Sequence, residues 1–171
     1  MTARSSNKYA FLMIDYNMPH IVDKIQKQIK EEELYIEGDE YGLEKEPHVT
    51  LVPCLDNDVK VDDLKPLVND LHTYKAMITD VSKFECEDYD VLKCNISSMV
   101  MNDTNNRITK KFETHTEFDY HPHMTIAYMK KGAADKYLQK SLPNLTIIEP
   151  KSFIYSYHDE NGENIIETFT K

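Results

Sequence analysis

Two short segments of this sequence carry the residue types that acid–base chemistry needs. His48 and Thr50 stand two positions apart, as do His123 and Thr125, and an apolar residue follows each threonine. Side chains alternate along a β-strand, so in each segment the imidazole and the hydroxyl are expected to share one face of a strand. The matched pattern predicts a site in which two imidazoles and two hydroxyls act together.

The predicted chemistry is the cleavage of a phosphodiester without a metal. Such a reaction needs a base for the attacking hydroxyl and an acid for the leaving oxygen. Two imidazoles supply both near neutral pH, because the unperturbed pKa of histidine is about 6.5. We therefore expect His48 and His123 to be the catalytic pair, with Thr50 and Thr125 donating to non-bridging phosphate oxygens. The sequence leaves open which histidine is the acid.

The segments PHVTL (47–51) and PHMTIAY (122–128) resemble the paired signatures of the two-histidine (2H) phosphoesterase superfamily. That superfamily includes RNA 2′,3′-cyclic phosphodiesterases and phage anti-CBASS enzymes that cleave cyclic oligonucleotide signals. The chain resembles the phage enzymes in its compactness and in its opening segment KYAFLMID. The resemblance implies a bilobal α+β fold, in which two antiparallel sheets flank a central cleft, helices lie outside, and one His-x-Thr motif stands on each side.

A metal site is the alternative interpretation of one of these segments. His121 and His123 are two positions apart and would share a strand face, as two zinc ligands can. No group of cysteines or carboxylates near them completes a site in the sequence. We therefore expect no metal and no cofactor, and we expect His121 at the rim of the cleft or exposed.

Four further residues are candidates for substrate binding. Tyr16 ends the first predicted strand, where its side chain would reach the cleft. Tyr155 and Tyr157 share one face of a late strand, and tyrosine rings there can stack on a base. Glu149 precedes the same strand and is a candidate for a polar contact with a base.

The elements that must position these residues form two similar halves. Apolar alternation and turn signals predict strands at 8–16, 47–55, 74–86, 89–97, 121–129, 145–149, 152–158 and 164–169. Helical spacing predicts helices at 18–33, around 64–71, at 99–114 and at 133–142. No linker rich in proline, glycine or serine separates the halves. We expect a single two-lobed domain over residues 1–171.

Composition restricts the partners and the compartment. The chain has 20 Lys and Arg against 30 Asp and Glu, for a formal net charge of −10. This balance argues against a binder of duplex DNA, which needs a cationic face. No apolar run reaches the roughly 20 residues of a membrane span, the opening residues lack a signal peptide, and the three cysteines form no CxxC pair. We expect a soluble cytoplasmic protein, in the host cytoplasm if it is phage-encoded, of undetermined oligomeric state.

Three functions follow from these observations. The favoured one is cleavage of a cyclic oligonucleotide signal, by which a virus evades host cyclic-nucleotide immunity. The acidic composition and the 11 tyrosines favour such a small ligand over a long RNA. The alternatives are an RNA 2′,3′-cyclic phosphodiesterase acting on RNA ends and a nucleotide-binding module without catalysis. Both histidines and both threonines are intact, which argues against the module, because a pure binder needs no acid–base pair.

Overall fold

A computed structural model describes residues 9–170, which form a curled antiparallel sheet with helices packed on it. The strands are β1 Ala10–Tyr16, β2 Ile36–Glu37, β3 Glu40–Tyr41, β4 His48–Leu55, β5 Ala76–Glu85, β6 Tyr89–Ser97, β7 His123–Lys130, β8 Thr146–Ile148, β9 Pro150–His158 and β10 Asn164–Phe169. The helices are α1 His20–Gln28, α2 Val61–Leu64 and α3 Met99–Lys111. In this part of the chain no helix combines the length and the apolar character that crossing a bilayer demands.

Eight strands form one sheet in the order β10-β9-β1-β4-β7-β6-β5-β8. Every pair in it is antiparallel, but β4 and β7 share a single residue pair, Val49 with Met124. The sheet therefore divides into two halves of four strands, β10-β9-β1-β4 and β7-β6-β5-β8. These halves are the two antiparallel sheets expected from the sequence, and the α+β fold with a cleft between them is confirmed. Lys8, the expected start of the first strand, lies outside the described residues.

The two central strands diverge on both sides of their shared pair. Past Met124, β7 pairs with the segment that precedes β4, through bridges from Leu43 to Ala127 and from Leu34 to Met129. Past Val49, β4 pairs with the segment that precedes β7, through a bridge from Leu55 to Thr114. Each strand thus exchanges its partner after one residue. The junction between the two halves of the sheet is therefore limited to one ladder pair.

The hydrophobic core lies on the face of the sheet opposite the two motifs. Val49 and Leu51 on β4, and Met124 and Ile126 on β7, are completely buried. Burial of each such side chain is worth roughly 1.5–3 kcal/mol relative to exposure. The apolar residue between each histidine and its threonine therefore fixes which face the imidazole and hydroxyl occupy.

Three predicted helices are wrong in extent or in kind. In place of the helix expected around 64–71, α2 ends at Leu64 and 3₁₀ turns follow at Lys65–Leu67 and Leu71–Tyr74. The helix expected at 18–33 ends at Gln28, and Glu31–Glu33 forms a 3₁₀ turn. Three adjacent glutamates repel one another, and in the turn the carboxylate of Glu33 accepts a hydrogen bond from the Lys30 backbone at 3.0 Å. The helix expected at 133–142 is reduced to a 3₁₀ turn at Asp135–Tyr137. Its later residues are extended because the Gln139 backbone pairs with that of Val81 through N–H···O bonds of 2.9 and 3.0 Å.

Polar residues in the core explain the sparse apolar pattern of α3. Thr104 and Asn105 are buried on the inner face of this helix, between Met101 and Ile108. The Thr104 hydroxyl is 2.6 Å from the hydroxyl of buried Tyr74, and the Asn105 amide donates to the carbonyl of Leu51 at 2.7 Å. The helix is fastened to β4 by hydrogen bonds as well as by apolar contact. Two-residue strands β2 and β3 also form, in a segment for which the sequence predicts neither a strand nor a helix.

Candidate active site

The single pair between β4 and β7 brings the two His-x-Thr motifs side by side. Val49 and Met124, the middle residues of the motifs, are direct partners across the two strands. Since side chains alternate along both strands, His48, Thr50, His123 and Thr125 project from the opposite face and surround this pair. Both histidines are partly buried, and Thr125 is only 9% exposed. Two imidazoles and two hydroxyls therefore converge on one small area of the cleft.

Both imidazoles are held in the same way. Nδ1 of His48 lies 2.9 Å from the carbonyl oxygen of Glu46, and Nδ1 of His123 lies 2.8 Å from that of His121. A carbonyl only accepts, so Nδ1 carries the hydrogen in each ring. The residue between, Pro47 or Pro122, biases the residue before it to an extended conformation, which helps to aim its carbonyl. No residue within 9–170 bonds Nε2 of either ring, which leaves that atom for proton transfer.

The environment of His123 shifts the pKa of its imidazole. Burial lowers the pKa of its imidazole to about 4, although the hydrogen bond to His121 acts in the opposite direction. The positive charges of Lys93 and His48 lower this pKa further. The ring of Phe84 packs edge-on against the imidazole, with ring centres 4.9 Å apart. His123 is therefore neutral at pH 7.

A polar network that the sequence does not predict lies beside the second motif. On β6, Lys93 is the direct partner of Thr125, and Asn95 is the direct partner of His123. The Lys93 ammonium donates to the Ser82 hydroxyl at 2.7 Å and to the Asn95 side-chain oxygen at 2.5 Å. These residues continue the cleft face from β7 onto β6 and β5. The only signal in the sequence was a lysine between apolar Leu92 and Cys94 in an interior strand.

A large cavity opens next to the motifs. Its volume is about 1180 Å³, and Thr50 and His123 lie in its wall, whereas His48 and Thr125 lie outside that wall. Its aromatic lining comes from Phe11, Phe84, Tyr89, Phe118 and Tyr120, and its amide lining from Asn102, Asn105 and Asn106 on α3. His121, expected at the rim, also lines it and is exposed. Aromatic rings with a few amides are the usual lining of sites for small organic ligands, and three carboxylates, Glu85, Glu117 and Asp119, also belong to this wall.

Tyr120 connects the two motifs by a hydrogen bond. Its hydroxyl donates to the backbone carbonyl of Thr50 at 2.9 Å, while its backbone lies just before the His121–His123 segment. The aromatic residues Tyr120 and Phe84 therefore contact the first and second motifs respectively. Neither residue is predicted from the sequence to lie at the site.

The expected base-stacking tyrosines lie in or against the core. Tyr16 is 1% exposed and donates to the carbonyl of Tyr74 at 2.7 Å, and Tyr155 is 0% exposed and donates to that of Val59 at 2.6 Å. Tyr157 stacks on Tyr155 with ring centres 5.3 Å apart. The prediction of base contacts by Tyr16 and Tyr155 is wrong, because no surface of either ring is available. The face that Tyr155 and Tyr157 share is the core face.

Glu149 is also separate from the motifs. Its carboxylate pairs with Lys75 at 2.9 Å, and both side chains are more than half exposed. The pair joins the β8–β9 connection to the start of β5. The structure therefore does not bring Glu149 to the two histidines.

One group of described residues has the donor atoms for a metal ion, and it is not at the motifs. Asp56, Glu113 and His115 place ligand atoms within 4.8 Å of one another. His115 Nε2 is 2.7 Å from an Asp56 oxygen, and its ring stacks on Tyr9 at 4.7 Å. These contacts join the segment before β7 to the end of β4, through Asp56, and to the residue before β1, through Tyr9. His121 and His123 belong to no such group among residues 9–170.

Comparison with known proteins gives the following similarities. The sequence profile of the 2′-5′ RNA ligase superfamily matches residues 21–149. Among solved structures, E. coli LigT complexed with ATP has a TM-score of 0.45 and 13% identity, over 96% of this chain and 99% of that one. E. coli LigT complexed with 3′-AMP (TM-score 0.44, 14% identity) and a structure described as a phosphoesterase (0.46, 13%) match over the same shares. No curated protein matches the chain.

Proposed function

Because this chain belongs to the 2′-5′ RNA ligase superfamily, a family of two-histidine phosphoesterases, we propose that it is a metal-independent phosphodiesterase. Its catalytic residues in this proposal are His48, Thr50, His123 and Thr125. The observation that carries the proposal is the pairing of Val49 with Met124, which sets the two motifs side by side on the cleft face. The equivalent Nδ1 bonds of the two histidines support it, since both Nε2 atoms are left for substrate.

The environment of His123 supports its assignment as the base. A buried imidazole that is neutral at pH 7 accepts a proton from the attacking hydroxyl as the new O–P bond forms. His48, in its protonated form, then gives the proton on Nε2 to the oxygen that leaves as the old O–P bond breaks. Each transfer contributes roughly 10²–10⁴-fold to the rate. Thr50 and Thr125 donate to the non-bridging oxygens, on which charge grows.

The substrate in this proposal is a cyclic oligonucleotide of the kind that carries host immune signals. The cavity of about 1180 Å³ exceeds the roughly 300–1,000 Å³ of ordinary small-molecule sites, which suits a ligand larger than one nucleotide. A net charge of −10 disfavours a long RNA backbone. A ribose 2′-hydroxyl would attack the adjacent 3′–5′ phosphate, and the products would be a 2′,3′-cyclic phosphate end and a free 5′-hydroxyl.

A substrate screen in EDTA tests the reaction class. The wild-type protein is incubated with cyclic dinucleotides, cyclic trinucleotides and 2′,3′-cyclic mononucleotides, and the products are separated by chromatography. Linearisation of a cyclic di- or trinucleotide is the expected result. Opening of the 2′,3′-cyclic mononucleotides alone would assign the protein to RNA ends. Binding of every nucleotide without loss of any would make it a binding module.

An activated leaving group tests the roles of the two histidines. Uridine 3′-(4-nitrophenyl phosphate) is attacked by its own 2′-hydroxyl and releases nitrophenolate, which needs no acid. His48→Ala should slow the natural reaction by roughly 10²–10⁴-fold yet spare this substrate, and His123→Ala should impair both. The matched control is His20→Asn, which changes an exposed histidine of α1. The reverse pattern would exchange the roles, and full activity of both folded alanine variants would refute the proposed catalytic pair.

A further inference from the structure

The ammonium of Lys93 is buried beside neutral hydrogen-bond partners. The residue is 5% exposed, and its ammonium donates to two neutral groups, the Ser82 hydroxyl and the Asn95 side-chain oxygen. Within residues 9–170 no carboxylate lies at ion-pairing distance from Nζ. The acidic group of the network, Asp80, is reached only through Asn95, whose amide donates to it at 2.6 Å.

Lys83, in the same sheet, differs from Lys93 because its ammonium is paired with carboxylates. Lys83 on β5 pairs with Asp90 at 3.1 Å, Glu85 at 3.0 Å and Asp135 at 2.7 Å. Buried charges in proteins are ordinarily paired, because an uncompensated one costs several kcal/mol. Burial lowers the pKa of Lys93, whereas the carboxylates that pair with Lys83 raise the pKa of Lys83. Among residues 9–170, Lys93 is therefore a buried cation without an ion pair, although the charge of Asp80 acts on it from a greater distance and raises its pKa.

The Lys93 side chain lies next to the second His-x-Thr motif. Lys93 lies directly opposite Thr125, and the Phe84 ring contacts both Nζ, 4.2 Å from its centre, and the imidazole of His123. We propose that the Lys93 ammonium is the counter-charge for the phosphodiester anion of the substrate, an inference that rests on the proposed function of this site. Two of the three N–H donors of the Lys93 ammonium bond to Ser82 and Asn95. The third donor binds a non-bridging phosphate oxygen beside the Thr125 hydroxyl.

The network around Lys93 suits this role. Bonds of 2.7 and 2.5 Å to Ser82 and Asn95 hold the flexible side chain, so little rotamer freedom remains to be lost on binding. A charge in a low-dielectric site attracts an anion far more strongly than a surface lysine does. Lys93 thus offsets locally the repulsion that an acidic protein exerts on a phosphate.

Paired ligands that differ only in the phosphate test the inference. The affinities of adenosine 3′-monophosphate and of adenosine are measured by calorimetry for wild type and for Lys93→Met. The variant should bind the nucleotide roughly 10- to 100-fold more weakly and adenosine unchanged, as expected for one charged hydrogen bond. The control Lys130→Met removes an equal charge from the exposed end of β7 and should change neither affinity. Equal weakening for both ligands, or none, would overturn the inference.

Two measurements keep the test decisive. If Lys93→Met fails to fold by circular dichroism, inorganic phosphate is titrated into labelled wild-type protein and the Lys93 ¹³Cε resonance is followed. A shift larger than that of Lys130 supports the role, and no shift overturns it. Wild-type turnover is scored separately. Turnover with undiminished phosphate affinity in Lys93→Met removes the role of Lys93 alone, whereas Lys93-dependent phosphate binding without turnover removes only the proposed chemistry.

Discussion

Acidification should destabilise the folded protein through His123 by about 3 kcal/mol. Burial is the main cause that lowers the pKa of this imidazole from 6.5 to about 4. Between those values the unfolded chain binds a proton that the folded protein does not, so the contribution is intact above pH 6.5 and is lost as the pH falls toward 4. Each pKa unit is worth about 1.4 kcal/mol, which gives about 3 kcal/mol over the whole window.

Urea unfolding of wild type and of His123→Asn, from about pH 7 to about pH 4.5, measures this term. Carboxylates titrate in both proteins and cancel in the difference between them. Wild type should lose about 2–3 kcal/mol more than His123→Asn over this range. The control variant His20→Asn changes an exposed histidine of α1, retains His123 and His48, and should follow wild type. The difference in unfolding free energy between wild type and His123→Asn should therefore change with pH. If it stayed constant, the reasoning would be refuted, because His123 would then have the same pKa in the folded and unfolded states.

Three further predictions concern side chains near the cleft and in the core. Thr50→Ala and Thr125→Ala should each lower kcat by roughly 10- to 10³-fold in steady-state assays, less than loss of a histidine, because water partly replaces a hydroxyl donor. Tyr120→Phe should lower the free energy of unfolding in urea by about 1 kcal/mol, since it removes the bond to the Thr50 carbonyl. Tyr155→Phe should cost about 1–2 kcal/mol of stability and leave KM for a cyclic dinucleotide unchanged, because the ring is buried. If Tyr155→Phe instead raised KM at unchanged stability, Tyr155 would contact the substrate.

The sequence predicted the parts of this molecule that local pattern determines. Alternation around Val49 and Met124 identified β4 and β7 and the face on which each histidine lies. It could not identify Lys93, whose importance depends on the register that sets β6 against β7. Alternation along β9 does not indicate which face of this strand packs on the core. The prediction that Tyr155 contacts the substrate is wrong for that reason. The helix expected at 133–142 failed because pairing with Val81 overrides local propensity.

The spacing of the two imidazoles depends on the register at one residue pair. Val49 and Met124 are the only ladder partners that β4 and β7 share within residues 9–170, and the four motif residues flank them. Contacts on both sides hold this register, among them the bridges at Leu43–Ala127 and Leu55–Thr114 and the Asn105 bond to the Leu51 carbonyl. A change of register here would move one His-x-Thr motif relative to the other, although every ladder within the two four-stranded halves stayed intact.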